Sequence, residues 1–564
     1  MQKGASMDKL SLLIIISAFF VISFFISYSI KKNILNSIKY SWGKYPSKGK
    51  KAYPKEALKD SFKAYLKFID DSRLIDDITW NDLDMQEVFN KLNTTNSSIG
   101  AEALYRRLRI IDPTQSDQEY LDKLMKYFDE NPKTREKVQY LYAKIGKLED
   151  NKVLQFIHED KNVKLYKSVN HLIFGLLPAI ALIITIIQAT LKKLMFFGPY
   201  PLLFFFALVV YNIFHFTRIK NELEKEYTMA NYLTSAIYYG QKLLRYDLPI
   251  KDELKAALSP VRTLGNFSFL SLSESNSGLA LISYILNSVF RISLLSFSLT
   301  IKTLKEKRNE VFSLWKMLGD IESSISILSY KIASKNTCKP KFIDEHKIEA
   351  TDLSHPLIEN PVPNDVNWTK STLVTGSNAS GKSTYVKSVA INAILAQTIY
   401  LCHAKEFSMK KGNILSSMAI KDDVIEGDSY FVAEIKSLKR LIDNMEAHKE
   451  DYYFIDEILK GTNTIERIAA SSSIIKHLLK NKQLAFIASH DIELTKIFEN
   501  NIENIHFREE VDNQQGIRFD YKLHSGPSTT KNAIKLLGHM HFPDEIVSQA
   551  QDSVEKFEET NSWI

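Results

Sequence analysis

Three short stretches hold residue types suited to phosphate chemistry. Residues 376 to 383 read "GSNASGKS" and fit G-x-x-x-x-G-K-[ST]. In such a loop the glycines let backbone amides curl around phosphates, Lys382 reaches the β/γ oxygens, and Ser383 can hold Mg²⁺. "DYYFIDE", residues 451 to 457, is an apolar buried-strand run ending in two carboxylates. On a parallel strand next to the loop's strand, Asp456 would face the Mg²⁺ shell and Glu457 the water attacking the γ-phosphate. A solvated strand end is the plainer reading of the same pair. "LAFIASHD", residues 484 to 491, is another buried strand that ends in His490. A lone histidine is more often structural, but at the C-terminal edge of a strand beside a nucleotide it can touch the γ-phosphate. The chemistry these stretches share is hydrolysis of ATP with Mg²⁺.

These residues need a strand, a turn and a helix to hold them. "STLVTG" before the loop is strand-like, and a helical pattern follows Ser383. After "NTCKPKF" apolar β-rich runs alternate with helical stretches, which predicts an α/β domain over residues 341 to 564. Residues 54 to 165 and 218 to 335 show apolar spacing near 3.6 and read as helical. The chain is therefore multidomain, with a helical front and a nucleotide-binding back.

Membrane segments interrupt that front. Residues 10 to 30 form an uncharged run of about the 20 residues needed to cross a bilayer. Lys31, Lys32, Lys39, Lys44, Lys48, Lys50 and Lys51 follow it, against Lys3 and Lys9 before it, so the positive-inside rule places the N-terminus outside and the rest in the cytosol. Residues 1 to 32 are thus expected to anchor the protein in the cytoplasmic membrane; a cleaved signal peptide is the rival reading, but the apolar run is long and no small-residue cleavage site follows it. The apolar block at 171 to 217, broken by Lys192, Lys193, Gly198, Pro199 and Pro201, reads as two membrane helices joined by a short outer turn. A buried soluble hairpin is the alternative. The run at 278 to 301 contains Asn287, Arg291 and many serines, and reads as a core helix, with spanning as the second option. The helical core then occupies 33 to 170 and the levers 218 to 340.

Bulk properties exclude little. With 564 residues the chain can build several domains, and a net charge of +7 neither demands nor excludes nucleic acid. Cys338 and Cys402 lack metal or redox spacing and read as buried, reduced thiols.

Taken in order, these motifs resemble the ATPase domain of the MutS family, a branch of the ABC-type ATPases. The pattern T-G-x-N-x-x-G-K-S-T is present as "TGSNASGKST", with Asn378 and Thr384 at its characteristic positions. "DDVIEGDSYFVAE" at 422 to 434, "DEILKGTNTIE" at 456 to 466, "ASHDIELT" and "SHPLI" at 354 to 358 supply the other motifs. Residues 75 to 108 are similar to the start of the family's helical core, and the stretch from "FDYKLHSG" to "FPDEIVSQA" is similar to the end of its ATPase domain. The resemblance implies a C-terminal α/β P-loop NTPase domain of ABC type. It implies that Gly376, Asn378, Gly381, Lys382, Ser383 and Thr384 bind ATP, and that Ser429 faces the ATP of a second subunit in a homodimer. Tyr521 falls where the family has a base-contacting ring, and is equally readable as an ordinary strand tyrosine.

Relatives that read mismatches wedge a Phe from an F-x-E motif into the base stack. Phe128 to Glu130 and Phe557 to Glu559 match it literally, but in charged helical surroundings, and no mismatch-reading domain is expected here. The resemblance implies DNA as a partner and mismatch repair or DNA processing as the function. The membrane segments favour a second reading, in which nucleotide-driven closure moves membrane helices or a membrane-bound protein without DNA. A transporter subunit is a third reading, with too few helices for a solute path.

Overall fold

A computed structural model describes the chain apart from residues 1–8, 48–52, 70–72, 112–114, 160–167, 192–198, 272–279, 377–379, 419–429, 448–449, 460–461, 482, 513–515, 529–532, 561 and 564. It is a mostly helical, multidomain chain with two compact units. One comprises Met1–Asp71, Leu92–Arg106 and Glu119–Ala333; the other comprises Ser72–Lys91, Arg107–Gln118 and Ser334–Ile564. The second unit therefore takes two stretches from the region expected to be helical core. Polar contacts hold them there. Thr79 Oγ accepts from the Ser416 amide at 3.1 Å, Asp82 accepts from Ser416 Oγ at 2.8 Å and from the Met418 amide at 3.0 Å, and Arg440 pairs with Asp76.

The helical unit centres on the 26-residue helix Arg308–Ala333. Its apolar positions Val311, Leu314, Leu318, Ile321, Ile325 and Leu328 are all buried, the stripe expected of a core helix. Gly319 lets it approach the helix Ser98–Arg109, because a Cβ at that position would lie 2.6 Å from the Ala103 Cβ. Two carboxylates are enclosed between these helices. Glu322 accepts from the Asn96 amide at 2.5 Å and from Ser97, satisfying orphan donors at a helix start, while Glu102 accepts from Trp315 Nε1 at 3.1 Å and from Asn151. Burial pushes both carboxyl groups up to about 7.

The first helix runs from Lys9 to Ser41, past the end of the expected anchor at 30 and through its lysines. Val21, Phe24, Phe25 and Tyr28 are exposed on it, whereas Ile38 is buried and Trp42 stacks under Arg135 at 3.5 Å. Its C-terminal end is thus docked on protein, while the stretch from Val21 to Tyr28 is exposed but for Ser23.

Val169–Thr190 and Tyr200–Glu222 are long and apolar enough to cross a membrane, and 17% and 22% of their apolar windows are buried inside the protein. A buried soluble hairpin would show the opposite balance. The run read as one core helix is instead two, Ala280–Phe290 and Ile292–Glu306, and its described part bends by 68°. The break has a local cause. Arg291 has φ of +52°, a left-handed conformation costly for a side chain of its size, and Asn212 Nδ2 donates to the Val289 carbonyl at 2.7 Å.

The second unit is built on a six-stranded sheet. Its order is Gly516–Ser525, Glu503–Asp512, Thr372–Thr375, Leu484–Ala488, Tyr452–Asp456, Ile414–Ser417. All neighbours are parallel except the first pair, and the middle strands carry the near-continuous apolar runs of a sheet covered on both faces. The carboxylate strand Tyr452–Asp456 is not next to the loop strand Thr372–Thr375, as read from sequence; the histidine strand Leu484–Ala488 lies between them. A smaller four-stranded sheet joins Lys341–Phe342, Glu406–Met409, Ile348–Leu353 and Asn364–Trp368. Cys338 and Cys402 face each other across an isolated bridge as free thiols; Cys402 is buried and Cys338 only partly so.

Candidate nucleotide site

Three parallel strands end together. Ala488 is in register with Val374 on one side and with Asp456 on the other, so Gly376, His490 and Glu457 leave the same edge of the sheet. Main-chain bonds continue the ladder past the strand ends: the Ser489 amide donates to the Val374 carbonyl at 3.0 Å, and the Glu457 amide to the Ala488 carbonyl at 2.9 Å. The C-terminal edge of a parallel sheet is where α/β folds hold ligands.

Lys382 opens the helix Lys382–Thr398, with Gly381 as its N-cap at φ of +104°. Gly376 needs its glycine on two counts, since its φ is +133° and a Cβ would lie 2.5 Å from the Phe507 carbonyl oxygen. Lys382 is buried; its Nζ donates to the Gly376 carbonyl at 2.8 Å and lies 3.0 Å from His490 Nε2 and 3.3 Å from Nδ1. His490 Nε2 in turn lies 2.9 Å from Glu457 Oε1. Lys382, His490 and Glu457 thus form one line across the sheet edge. Glu457 holds φ of +60°, a strained value of the kind that persists where the surrounding structure imposes it.

Asp456 stops one residue earlier. Its Oδ1 is buried with no hydrogen-bond partner among the described residues. An orphaned carboxylate oxygen is costly unless a cation or donor meets it, and a carboxylate and a hydroxyl, such as that of Ser383 in the first turn of the helix, are oxygen donors of the type Mg²⁺ takes. The residues therefore fit that ion. Thr384 is exposed in the same turn. Asn378 and Ser429 lie outside the described residues.

Tyr521 stands beside the loop. A Cβ on Gly381 would lie 3.2 Å from its ring, the ring stacks on Phe519 at 5.8 Å between centroids, and 43% of the residue is exposed. Its φ is +53°, and the Asn364 side chain donates to its carbonyl at 2.9 Å. A partly exposed ring thereby stands next to the phosphate loop.

Sequence reasoning missed Arg467. It makes a two-pronged ion pair with Asp491, Nε at 3.0 Å and Nη2 at 2.6 Å, which ties the helix Thr464–Lys480 to the residue after His490. An acid directly after the histidine was the one signal available. His355, from "SHPLI", is not in the line: burial pushes it down to about 4, so it is neutral, and its Nδ1 accepts from the Leu357 amide at 3.2 Å.

The arrangement defines an α/β unit with a phosphate-type loop, a buried lysine and a strand-end acid pair. Residues 372–558 match the family model of MutS domain V, an ATPase-type domain. The chain is 29% identical over 277 residues to "MutS protein homolog 4" of Mus musculus, a match covering 46% of this chain and 28% of that protein. It is 28% identical over 275 residues to "DNA mismatch repair protein MutS" of Oceanobacillus iheyensis, covering 46% and 31%, and 28% identical over 254 residues to the protein of that name from Aquifex pyrophilus, covering 43% and 29%. Over residues 372–558 the chain is thus similar to the MutS family. Its match spans under a third of the length of each of these relatives.

Proposed function

We propose that the protein is a membrane-anchored ATPase of MutS type, dimeric, with each ATP site completed by Ser429 of a second copy. The observation that carries this reading is the contiguous line Lys382, His490, Glu457 at one sheet edge, with Asp456 beside it. Lys382 binds the β/γ oxygens, with the amides of the loop and the dipole of the helix Lys382–Thr398 adding positive potential. Asp456 and Ser383 would hold Mg²⁺, which neutralises phosphate charge when bound. Glu457 accepts the proton of the attacking water, and His490 orients Glu457 and lies toward the γ-phosphate. Tyr521 stacks on the adenine.

The first 32 residues and the hairpin at 171 to 217 hold the protein in the cytoplasmic membrane with the ATPase domain, 341 to 564, in the cytosol. The helical core at 33 to 170 and the levers at 218 to 340 transmit closure of that domain. Relatives named for DNA mismatch repair support DNA as the substrate polymer. The exposed apolar hairpin supports the second reading, in which the same ATPase moves membrane helices or a membrane-bound protein. ATP turnover by the full chain in detergent tests the enzyme: Lys382→Ala is expected to abolish it, and undiminished turnover would remove the site from the account. Duplex and branched DNA binding with a steep salt dependence separates the two readings, since it is expected of the first alone.

A further inference from the structure

The break at Arg291 lies against the hairpin. Asn212 Nδ2 donates to the Phe174 carbonyl of one arm and to the Val289 carbonyl of the broken helix, both at 2.7 Å. A Cβ on Gly175 would lie 2.3 Å from the Phe290 carbonyl oxygen, so only glycine lets the first arm come this close. Arg291 is 2% exposed and its guanidinium is stacked over Phe174 at 4.9 Å and Tyr211 at 5.0 Å, with the Tyr211 hydroxyl as its polar neighbour. Its Nε and Nη2 have no hydrogen-bond partner among the described residues. The hydroxyls of Ser293 and Ser296, one turn apart on the following helix, are likewise buried and unpartnered.

A buried guanidinium does not lose its proton, and leaving it without a counter-charge is expensive. No acidic residue occurs between 168 and 221 or between 275 and 305, so these segments supply no carboxylate. Its depth says where an anion would come from. Phe174 is six residues from the helix start at Ser168, and Tyr211 is seven before Arg218, which puts the guanidinium about 10 Å in from the cytosolic ends of both arms. An arginine at that depth meets headgroups where the bilayer thins locally around it. His171 and His215, 6.1 Å apart, sit one turn nearer those ends, and Arg218 and Lys220 lie at the rim.

We propose that Arg291, with Ser293 and Ser296, binds the phosphate of an anionic lipid of the cytosolic leaflet, and that the broken segment 280 to 306 packs with the hairpin inside the bilayer as the frame of that site. The proposal rests on the membrane reading of the hairpin. It explains why a left-handed arginine is placed at the break of an otherwise apolar segment.

The test uses the full chain in uncharged detergent and phosphatidylglycerol carrying a fluorescent acyl chain. Saturable binding is expected, at least tenfold weaker in Arg291→Gln and within twofold of the parent in Arg218→Gln, whose side chain pairs with Glu222 at 2.8 Å. Equal binding by Arg291→Gln, or equally effective displacement by phosphatidylcholine, would overturn it. Displacement by millimolar inorganic phosphate would assign the site to free phosphate and overturn the lipid assignment. Should Arg291→Gln fail to fold, native mass spectrometry of the parent protein decides: one retained phosphatidylglycerol supports the site, and none refutes it. Thiol labelling of single cysteines at 173, 183, 206 and 210 in intact cells tests the hairpin separately. Full cytosolic labelling there sinks the membrane reading, whereas shielded cysteines with unchanged lipid binding in Arg291→Gln sink this inference alone.

Discussion

His490 Nε2 lies 2.9 Å from Glu457 Oε1, although the two residues come from separate strands, 33 positions apart in the chain. The contact helps to fix the direction of a strand-end carboxylate. His490→Asn is therefore expected to lower kcat about 10- to 100-fold while nucleotide affinity changes little, because orientation of the base and not ground-state binding is removed. Steady-state turnover beside equilibrium nucleotide titration checks this; a loss confined to KM would mean that His490 serves binding alone.

Asp456→Asn tests the orphaned oxygen. The substitution keeps shape and removes charge, so the half-saturating Mg²⁺ concentration for turnover is expected to rise strongly, with partial recovery at high Mg²⁺. A Mg²⁺ dependence identical to that of the parent would mean that Asp456 is not a ligand.

The buried acids of the helical unit carry a pH signature. Burial raises Glu102 from 4.5 to about 7, so the folded state keeps a proton that the unfolded chain releases. Between those two values the folded state binds more protons, and its stability falls as pH rises through that window and then levels off. Glu322, raised by burial in the same direction, adds to the trend. Thermal unfolding is expected to show a higher Tm at pH 5.5 than at pH 8. The difference should shrink in Glu102→Gln, which keeps one acceptor for Trp315 or Asn151.

Sites shared between two copies, as proposed, would make a distinctive mixing result. Neither Lys382→Ala nor Ser429→Ala alone should turn over, yet mixing them should restore about a quarter of parental activity per subunit pair if the copies assort freely. That composition follows because one of the two sites in the mixed dimer keeps both parental residues. An absence of any restoration, with dimers present by light scattering, would argue against completion in trans.

What could be read from sequence was local. The loop at 376 to 383 is recognisable because glycines, lysine and serine occupy fixed offsets, and its flanking strand and helix follow from a change of apolar period. Asp456, Glu457 and His490 were legible as the ends of short apolar runs. Strand order was not, since nothing in "DYYFIDE" or "LAFIASHD" states which of them pairs with "STLVT"; the histidine strand lies between the other two. Nor could sequence place 72 to 91 with the second unit, because the contacts of Thr79 and Asp82 with Ser416 join residues more than 330 positions apart. The break at Arg291 escaped for a related reason: a hydropathy pattern carries no sign of a left-handed residue, and the partner that answers the freed Val289 carbonyl is Asn212 on another helix.

The most direct measurement of the central claim is single-turnover ATP hydrolysis by the full chain beside Glu457→Gln, with bound nucleotide quantified on both. The account expects the variant to retain ATP and Mg²⁺ and to accumulate as a closed dimer while hydrolysis falls at least about 100-fold. Parental hydrolysis in Glu457→Gln, or a variant that no longer binds ATP, would contradict it.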